Sequence, residues 1–250
     1  MHTSNILNGR SILVVGSSEG IGREAALTYA RAGAKLMTLA RNTSALEQLK
    51  RQIIAEGLCS PTIFQFDLES KNEDEYRQLA QHIEAESHTL DGALLNASLL
   101  GARTTLADYP WDTWQQVMQV NVNAQFLLVK HLLSLLQRSS TDASLILTTS
   151  SVGRQGRAEW GAYSVSKFAT EALMQICAQE LGENSPVRIN CINPGGTRTA
   201  MRAAAYPEED PSSVRTPADI MDLYLHLMSP ESSGVRGQSI DAQNWNHQKA

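Results

Sequence analysis

Cysteine is scarce in this 250-residue chain: Cys59, Cys177 and Cys191 are odd in number and far apart, which excludes a disulfide framework or a cysteine zinc site and fits reduced thiols. The six histidines are scattered and none falls at metal-ligand spacing, so no metal is expected. No run approaches the roughly 18 apolar residues of a membrane-spanning helix. Residues 1–10 are polar and lack the basic-then-apolar layout of a secretory signal, so a cytoplasmic location is expected. Positive charge is not in excess either. A formal net charge of −5 argues against nucleic acid or an anionic membrane as a partner. Repeats, low-complexity tracts and Pro/Gly-rich linkers are missing, so residues 1–250 are expected to form one domain. What is present, 42% hydrophobic and 19% charged residues, is the balance of an ordinary folded chain.

Short apolar runs alternate with longer amphipathic stretches. Strands are expected at 11–15, 35–40, 62–66, 92–96, 144–149, 188–192 and, more weakly, 238–241. Helices are expected near 21–32, 44–56, 72–86, 111–136, 162–181 and 217–228. Nearly continuous apolar strands are those buried on both faces. Their alternation with helices predicts an α/β fold, a single Rossmann-like doubly wound domain with about seven parallel strands and helices on both faces. Residues 198–217 depart from this rhythm, with Pro207, Pro211 and Pro217 and the acids Glu208, Glu209 and Asp210. That length predicts a substrate loop or lid, with a plain solvated loop as the alternative.

The first strand runs directly into a glycine turn, ILVVGSSEGIG, in which Gly16, Gly20 and Gly22 have GxxxGxG spacing. Glycines there allow a tight turn and close approach of a pyrophosphate, with helix N–H groups aimed at its charge. At the end of the second strand, where an NAD enzyme commonly carries an acid for the ribose 2′-OH, the chain has Ala40 followed by Arg41. A guanidinium there suits a 2′-phosphate, so NADP(H) is favoured over NAD(H). Arg41 as a solvated helix-entry residue is the alternative, and Glu19 adds negative charge to the same turn.

Tyr163 and Lys167 are four residues apart on an expected helix, hence on one face. A nearby ammonium favours phenolate and is expected to lower the tyrosine pKa from about 10. Just upstream, the fifth strand ends in Thr148-Thr149-Ser150-Ser151, at the carboxyl edge where doubly wound sheets bind ligands.

Taken together, these motifs resemble the short-chain dehydrogenase/reductase family over almost the whole chain. Its glycine turn matches Gly16, Gly20 and Gly22, and its NNAG strand end matches Leu95-Asn96-Ala97-Ser98. Its asparagine matches Asn121, and its YxxxK motif matches Tyr163 and Lys167. The resemblance implies catalysis by Asn121, Ser151, Tyr163 and Lys167, with Asn121 helping to hold a relay water. Ser150 is the alternative serine, having the more usual spacing to tyrosine. It further implies cofactor contacts from Gly16, Ser18, Gly20, Ile21, Gly22, Arg41, Asp67, Leu68, Asn96, Ala97, Tyr163, Lys167, Pro194, Gly195 and Thr197. A small carbonyl or alcohol substrate and a homodimer or homotetramer are implied as well. Val15, Leu95 and Ser98 depart from the family pattern, which predicts a local repacking of the contact between the glycine turn and the fourth strand.

Two other functions fit parts of the pattern. A non-catalytic NADP(H)-binding redox sensor or partner-binding protein would have no need of the complete Ser/Tyr/Lys set. A sugar-nucleotide epimerase or dehydratase shares the tyrosine and lysine but needs more chain after Asn193 than this sequence has. Arg198, Arg202 and Arg215, in or beside the expected lid, suit either an anionic substrate or pairing within the loop.

Overall fold

The computed structural model describes residues 5–245. The first part of the polar start and the end of the tail, residues 1–4 and 246–250, lie outside them. Seven strands form one sheet: β1 Ser11–Val15, β2 Lys35–Ala40, β3 Thr62–Gln65, β4 Gly92–Leu95, β5 Ala143–Thr148, β6 Val187–Asn193 and β7 Ser239–Asp241. Every neighbouring pair is parallel, in the order β3-β2-β1-β4-β5-β6-β7. Strand order reverses between β1 and β4, so the crevice at their carboxyl ends is a topological switch point where such sheets take ligands.

Alternation along the strands feeds two cores. Leu13 and Val15 of β1 pack with Tyr76, Leu79, Ile83, Leu128, Leu132 and Met174 on one side. Ile12 and Val14 pack with Ala25, Tyr29, Leu49, Tyr224 and Leu227 on the other. The first layer holds α3 (Glu73–Glu86), α5 (Ala124–Gln137) and α6 (Gly161–Leu181); the second holds α1 (Gly20–Arg31), α2 (Thr43–Ala55) and α8 (Met221–Met228). The starts of α2 and α3 follow local chemistry. Asn42 accepts from the Ala45 N–H, Asn72 accepts from that of Asp74, and three acids occupy the first turn of α3. Arg188 of β6, fully buried, bonds Asp142 and the carbonyls of Leu227 and Ser229, tying the end of α8 to the sheet.

The expected long helix over 111–136 is divided. α4 (Trp111–Met118) passes through a π-helical turn, Gln119–Asn123, into α5. A one-residue expansion of this kind rotates the side chains that follow it and is found mostly at functional sites. Here it carries Asn121. The segment expected as a loop contains a short helix, α7 (Ala200–Ala205), capped by the Thr199 hydroxyl.

Candidate active site

The cleft begins at the glycine turn. Gly16 has φ +83°, and a Cβ there would lie 2.7 Å from the Ala97 nitrogen. The turn is therefore restricted to glycine by both conformation and space. Gly22 is placed differently from expectation. It sits beneath the turn, where a Cβ would meet the Gly16 carbonyl at 2.1 Å, and it does not line the cleft. Gly16, Ser18, Gly20 and Ile21 do line it. Glu19 makes no side-chain cap, so the first N–H groups of α1 remain available to an anion. With Val15 at the end of β1, the tie to β4 is made by the main chain, the Val15 carbonyl accepting from Asn96 N (3.1 Å) and Ala97 N (3.2 Å). The Thr148 hydroxyl of β5 donates to the Asn96 side chain at 3.0 Å.

At the end of β2, Arg41 lines the cleft with Asp67 and Leu68. Its guanidinium is bound to the Glu69 carboxylate and stands 3.8 Å from Asp67, while Gln116 donates to the other Glu69 oxygen at 2.9 Å. Arg41 is therefore not a free helix-entry residue. It is held at the cleft rim by a carboxylate.

Ser150, Tyr163 and Lys167 meet beyond the end of β5, all lining the cleft. Of the two candidate serines, Ser150 lines the cleft and Ser151 does not. Ser150 has extended backbone, with φ −157° and ψ 158°, and lies beside the Tyr163 phenol, whereas Ser151 has already entered a 3-10 turn and is not among the lining residues. Consecutive residues in extended chain face opposite ways, and the sheet edge turns Ser150 inward. Burial pushes the Tyr163 phenol up to about 12, with the Ser150 side chain acting against it. Burial pulls the Lys167 ammonium down to about 8. Lys167 donates to the Thr148 carbonyl at 2.8 Å, and its nitrogen is 5.4 Å from the Tyr163 ring centre. The phenol is thus raised by desolvation, and the side chain that acts against this is Ser150.

Asn121 is buried behind this group and does not line the cleft. Its side chain accepts from Leu99 N (2.8 Å) and donates to the Leu99 carbonyl (2.9 Å) and to Ser166 (3.0 Å). An amide so occupied clamps the wall of the cleft to α6. Asn96, Ala97, Pro194, Gly195 and Thr197 line the opposite side.

A model of the short chain dehydrogenase family matches residues 10–210, with the glycine turn, the tyrosine and the lysine all inside the match. The chain belongs to this family. Among short-chain dehydrogenase relatives, the Escherichia coli protein described as uncharacterized oxidoreductase YciK is 52% identical over 239 residues, covering 96% of this chain and 94% of that one. A rhamnolipid-biosynthesis 3-oxoacyl-[acyl-carrier-protein] reductase from Pseudomonas aeruginosa is 34% identical, covering 86% and 82%. A Shigella flexneri short-chain dehydrogenase complexed with NADP superposes with a TM-score of 0.93 at 52% identity, covering 96% of this chain and 99% of its own. One from Escherichia coli CFT073, complexed with NADPH, has a TM-score of 0.92 at 52% identity, covering 96% and 98%.

Other residues of this short-chain dehydrogenase site were not anticipated from sequence. Gln243, just past β7, donates to the carbonyls of Pro194 (2.8 Å) and Gly196 (3.0 Å) and packs where a Cβ on Gly195 would fall. Arg154 bonds Asp241, Ser239 and Glu171, while Asp241 accepts from Asn193, which in turn accepts from Gly195 N. The serine loop and the Pro194 loop are thereby fixed to one another through β7. Glu69, Gln116, Arg154 and Gln243 are ordinary polar residues, and only the folded topology gives them partners.

Residues 198–217 fold back on themselves. Arg198 bonds the carbonyls of Pro211 (2.6 Å) and Val214 (3.3 Å), Arg202 forms a two-pronged pair with Glu209, and Thr197 bridges Arg215. Of the two expectations for these arginines, pairing within the loop describes Arg198 and Arg202. Among the described residues no cluster of metal-ligating side chains occurs, and no helix is long and apolar enough to cross a membrane.

Proposed function

We propose that this chain is an NADP(H)-dependent oxidoreductase that interconverts a small carbonyl compound and its alcohol. One observation carries the reading: Ser150, Tyr163 and Lys167 converge in the same cleft as a glycine turn with no room for a side chain at Gly16 or Gly22. The two similar short-chain dehydrogenases complexed with NADP and NADPH support the choice of cofactor. The residues here also fit such a group. The Ser98 and Thr149 hydroxyls, both lining the cleft, are buried with no hydrogen-bond partner among the described residues. Buried hydroxyls of this kind are normally satisfied, here by a ligand.

Gly16, Ser18, Gly20 and Ile21 would hold the pyrophosphate at the start of α1, and Arg41 the 2′-phosphate beside Ala40. Asp67 and Leu68 would border the adenine. Asn96, Ala97, Pro194, Gly195 and Thr197 would enclose the nicotinamide and its ribose. When bound, the cofactor supplies or accepts the hydride. In the reducing direction Ser150 donates to the carbonyl oxygen and orients it, and Tyr163 gives that oxygen its proton. A phenol kept protonated by burial is suited to this step. Lys167 brings positive charge that favours the phenolate left behind and donates to the ribose. Asn121 fixes the Leu99 wall. The 198–217 segment covers the substrate end. Exposed Phe126 of α5 and Phe168 and Ile176 of α6 support a homo-oligomer.

Deuterium at the transferable position of NADPH tests the reaction itself. The label is expected at the carbinol carbon of the product, with one NADP formed per alcohol. Tight NADPH binding with no label transferred to any of a broad set of ketones and aldehydes would contradict it. The Glu69 pair adds a second prediction. A 2′-phosphate must compete with Glu69 for Arg41, and this exposed pair is worth little. Glu69→Gln is expected to tighten NADPH binding about two- to fivefold and leave NADH within twofold, as read by nicotinamide fluorescence. Weaker NADPH binding would show instead that Glu69 supports the arginine.

A further inference from the structure

The substrate end of the cleft differs in chemistry from the rest. We propose, building on the carbonyl-reducing reading above, that it takes a neutral, ring-bearing ketone or aldehyde and rejects carboxylates and phosphates.

The charged residues that line the cleft are Glu19, Arg41, Asp67, Lys167 and Arg202. Glu19, Arg41 and Asp67 lie at the glycine turn and the ends of β2 and β3. Lys167 is committed to the Thr148 carbonyl. Only Arg202 faces the region beyond Tyr163, and its charge is already paired with Glu209. Its Nε and Nη2 donate to the two Glu209 oxygens at 2.7 and 2.5 Å, and its plane lies 3.7 Å from the centre of the Tyr206 ring. An incoming anion therefore meets one cation beyond Tyr163, already paired with a carboxylate, while the Lys167 ammonium is buried. Arg103, 4.1 Å from the Trp160 ring centre and 3.9 Å from the Glu159 carboxylate, is not a lining residue.

The remaining walls are apolar and aromatic. Leu100, Trp160, Met201 and Ala205 line the cleft and pack with Tyr163 and Val152. Trp160 stands with its ring centre 5.6 Å from that of Tyr163 and 5.9 Å from that of Tyr206. Aromatic faces at these spacings receive a flat or alicyclic body by offset or edge contact. Tyr206 in turn lies between two guanidinium groups, those of Arg202 and Arg103 (5.8 Å), so the wall is braced before any ligand arrives. A carboxylate pressed against these walls would lose its water and gain no partner.

The test compares two ketones of nearly the same shape, 4-methylacetophenone and 4-acetylbenzoate, titrated calorimetrically into the protein with and without saturating NADP⁺, a pairing that cannot turn over. The neutral ketone is expected to bind at least about 100-fold more tightly than the carboxylate. In Glu209→Gln, where the Arg202 charge is no longer cancelled, that ratio is expected to fall at least about tenfold. Equal or tighter binding of the carboxylate to the unaltered protein overturns the proposal, as does failure of both ketones to bind. An unchanged ratio in Glu209→Gln overturns the part assigned to the Arg202–Glu209 pair. Neutral binding without NADPH oxidation in a separate assay leaves the ligand class standing and contradicts the reaction instead.

Discussion

Tyr163→Phe is expected to lower the turnover number for carbonyl reduction by about 10²–10⁴-fold, the usual contribution of one positioned acid, while NADPH binding stays within about threefold. The loss belongs to the proton and not to the ring, because phenylalanine keeps the contacts with Trp160 and Val152 that bury position 163. Burial places the phenol at about 12, so in the protein alone the tyrosine is protonated throughout the neutral range. Single-turnover kinetics under saturating NADPH separate the two effects. Unaltered turnover in Tyr163→Phe would remove the tyrosine from the mechanism.

Lys167→Met carries a second large effect, in two parts. Activity is expected to collapse, because the charge that favours the phenolate is gone. Stability is expected to rise at neutral pH. Burial lowers the ammonium from its ordinary 10.5 to about 8 in the folded chain. Between those values the unfolded chain binds more protons than the folded one, so stability increases with pH across that window, and the whole cost is present below about pH 8. A shift of this size corresponds to roughly 3 kcal/mol. Methionine avoids it but leaves the Thr148 carbonyl without its 2.8 Å bond, at a cost of about 1–2 kcal/mol. The net gain is about 1–2 kcal/mol at pH 7, or roughly 2–6 °C in Tm for a chain of this size. It should shrink as pH rises above about 8, vanish at about pH 9–9.5, and turn into a net loss of about 1–2 kcal/mol by about pH 10.5, where only the missing bond counts. A Lys167→Met protein less stable than the parent at pH 7 would show that the lysine is held without strain.

Much of this was legible in the sequence because buried parallel strands and helix-start chemistry leave strong local traces. All seven strands lie within a residue or so of their expected bounds, and β1, β4, β5 and β6 are runs buried along their whole length. The glycine turn could be read because main-chain approach to Ala97 leaves no room for any other residue at Gly16. What escaped the sequence depends on long-range placement. The π turn at Gln119–Asn123 carries no composition signal, and it arises where Asn121 must reach Leu99 and Ser166. Ser150 and Ser151 are chemically identical, and only the entry of Ser151 into a 3-10 turn separates them. Gln243 and Arg154 gain meaning only when β7 is laid beside β6. Arg41 was read as a phosphate cation, but the Glu69 that holds it lies 28 residues away.

The central claim is that this cleft binds NADP(H) in preference to NAD(H) and works on it. Side-by-side titration of NADPH and NADH, followed by nicotinamide fluorescence, tests it most directly, with Arg41→Ala as the control. NADPH is expected to bind well ahead of NADH, and Arg41→Ala to weaken it by about 10–100-fold, the worth of a charge-assisted bond, while NADH changes little. Equal affinity for the two would contradict the cofactor assignment, and absence of binding by both would contradict the oxidoreductase itself.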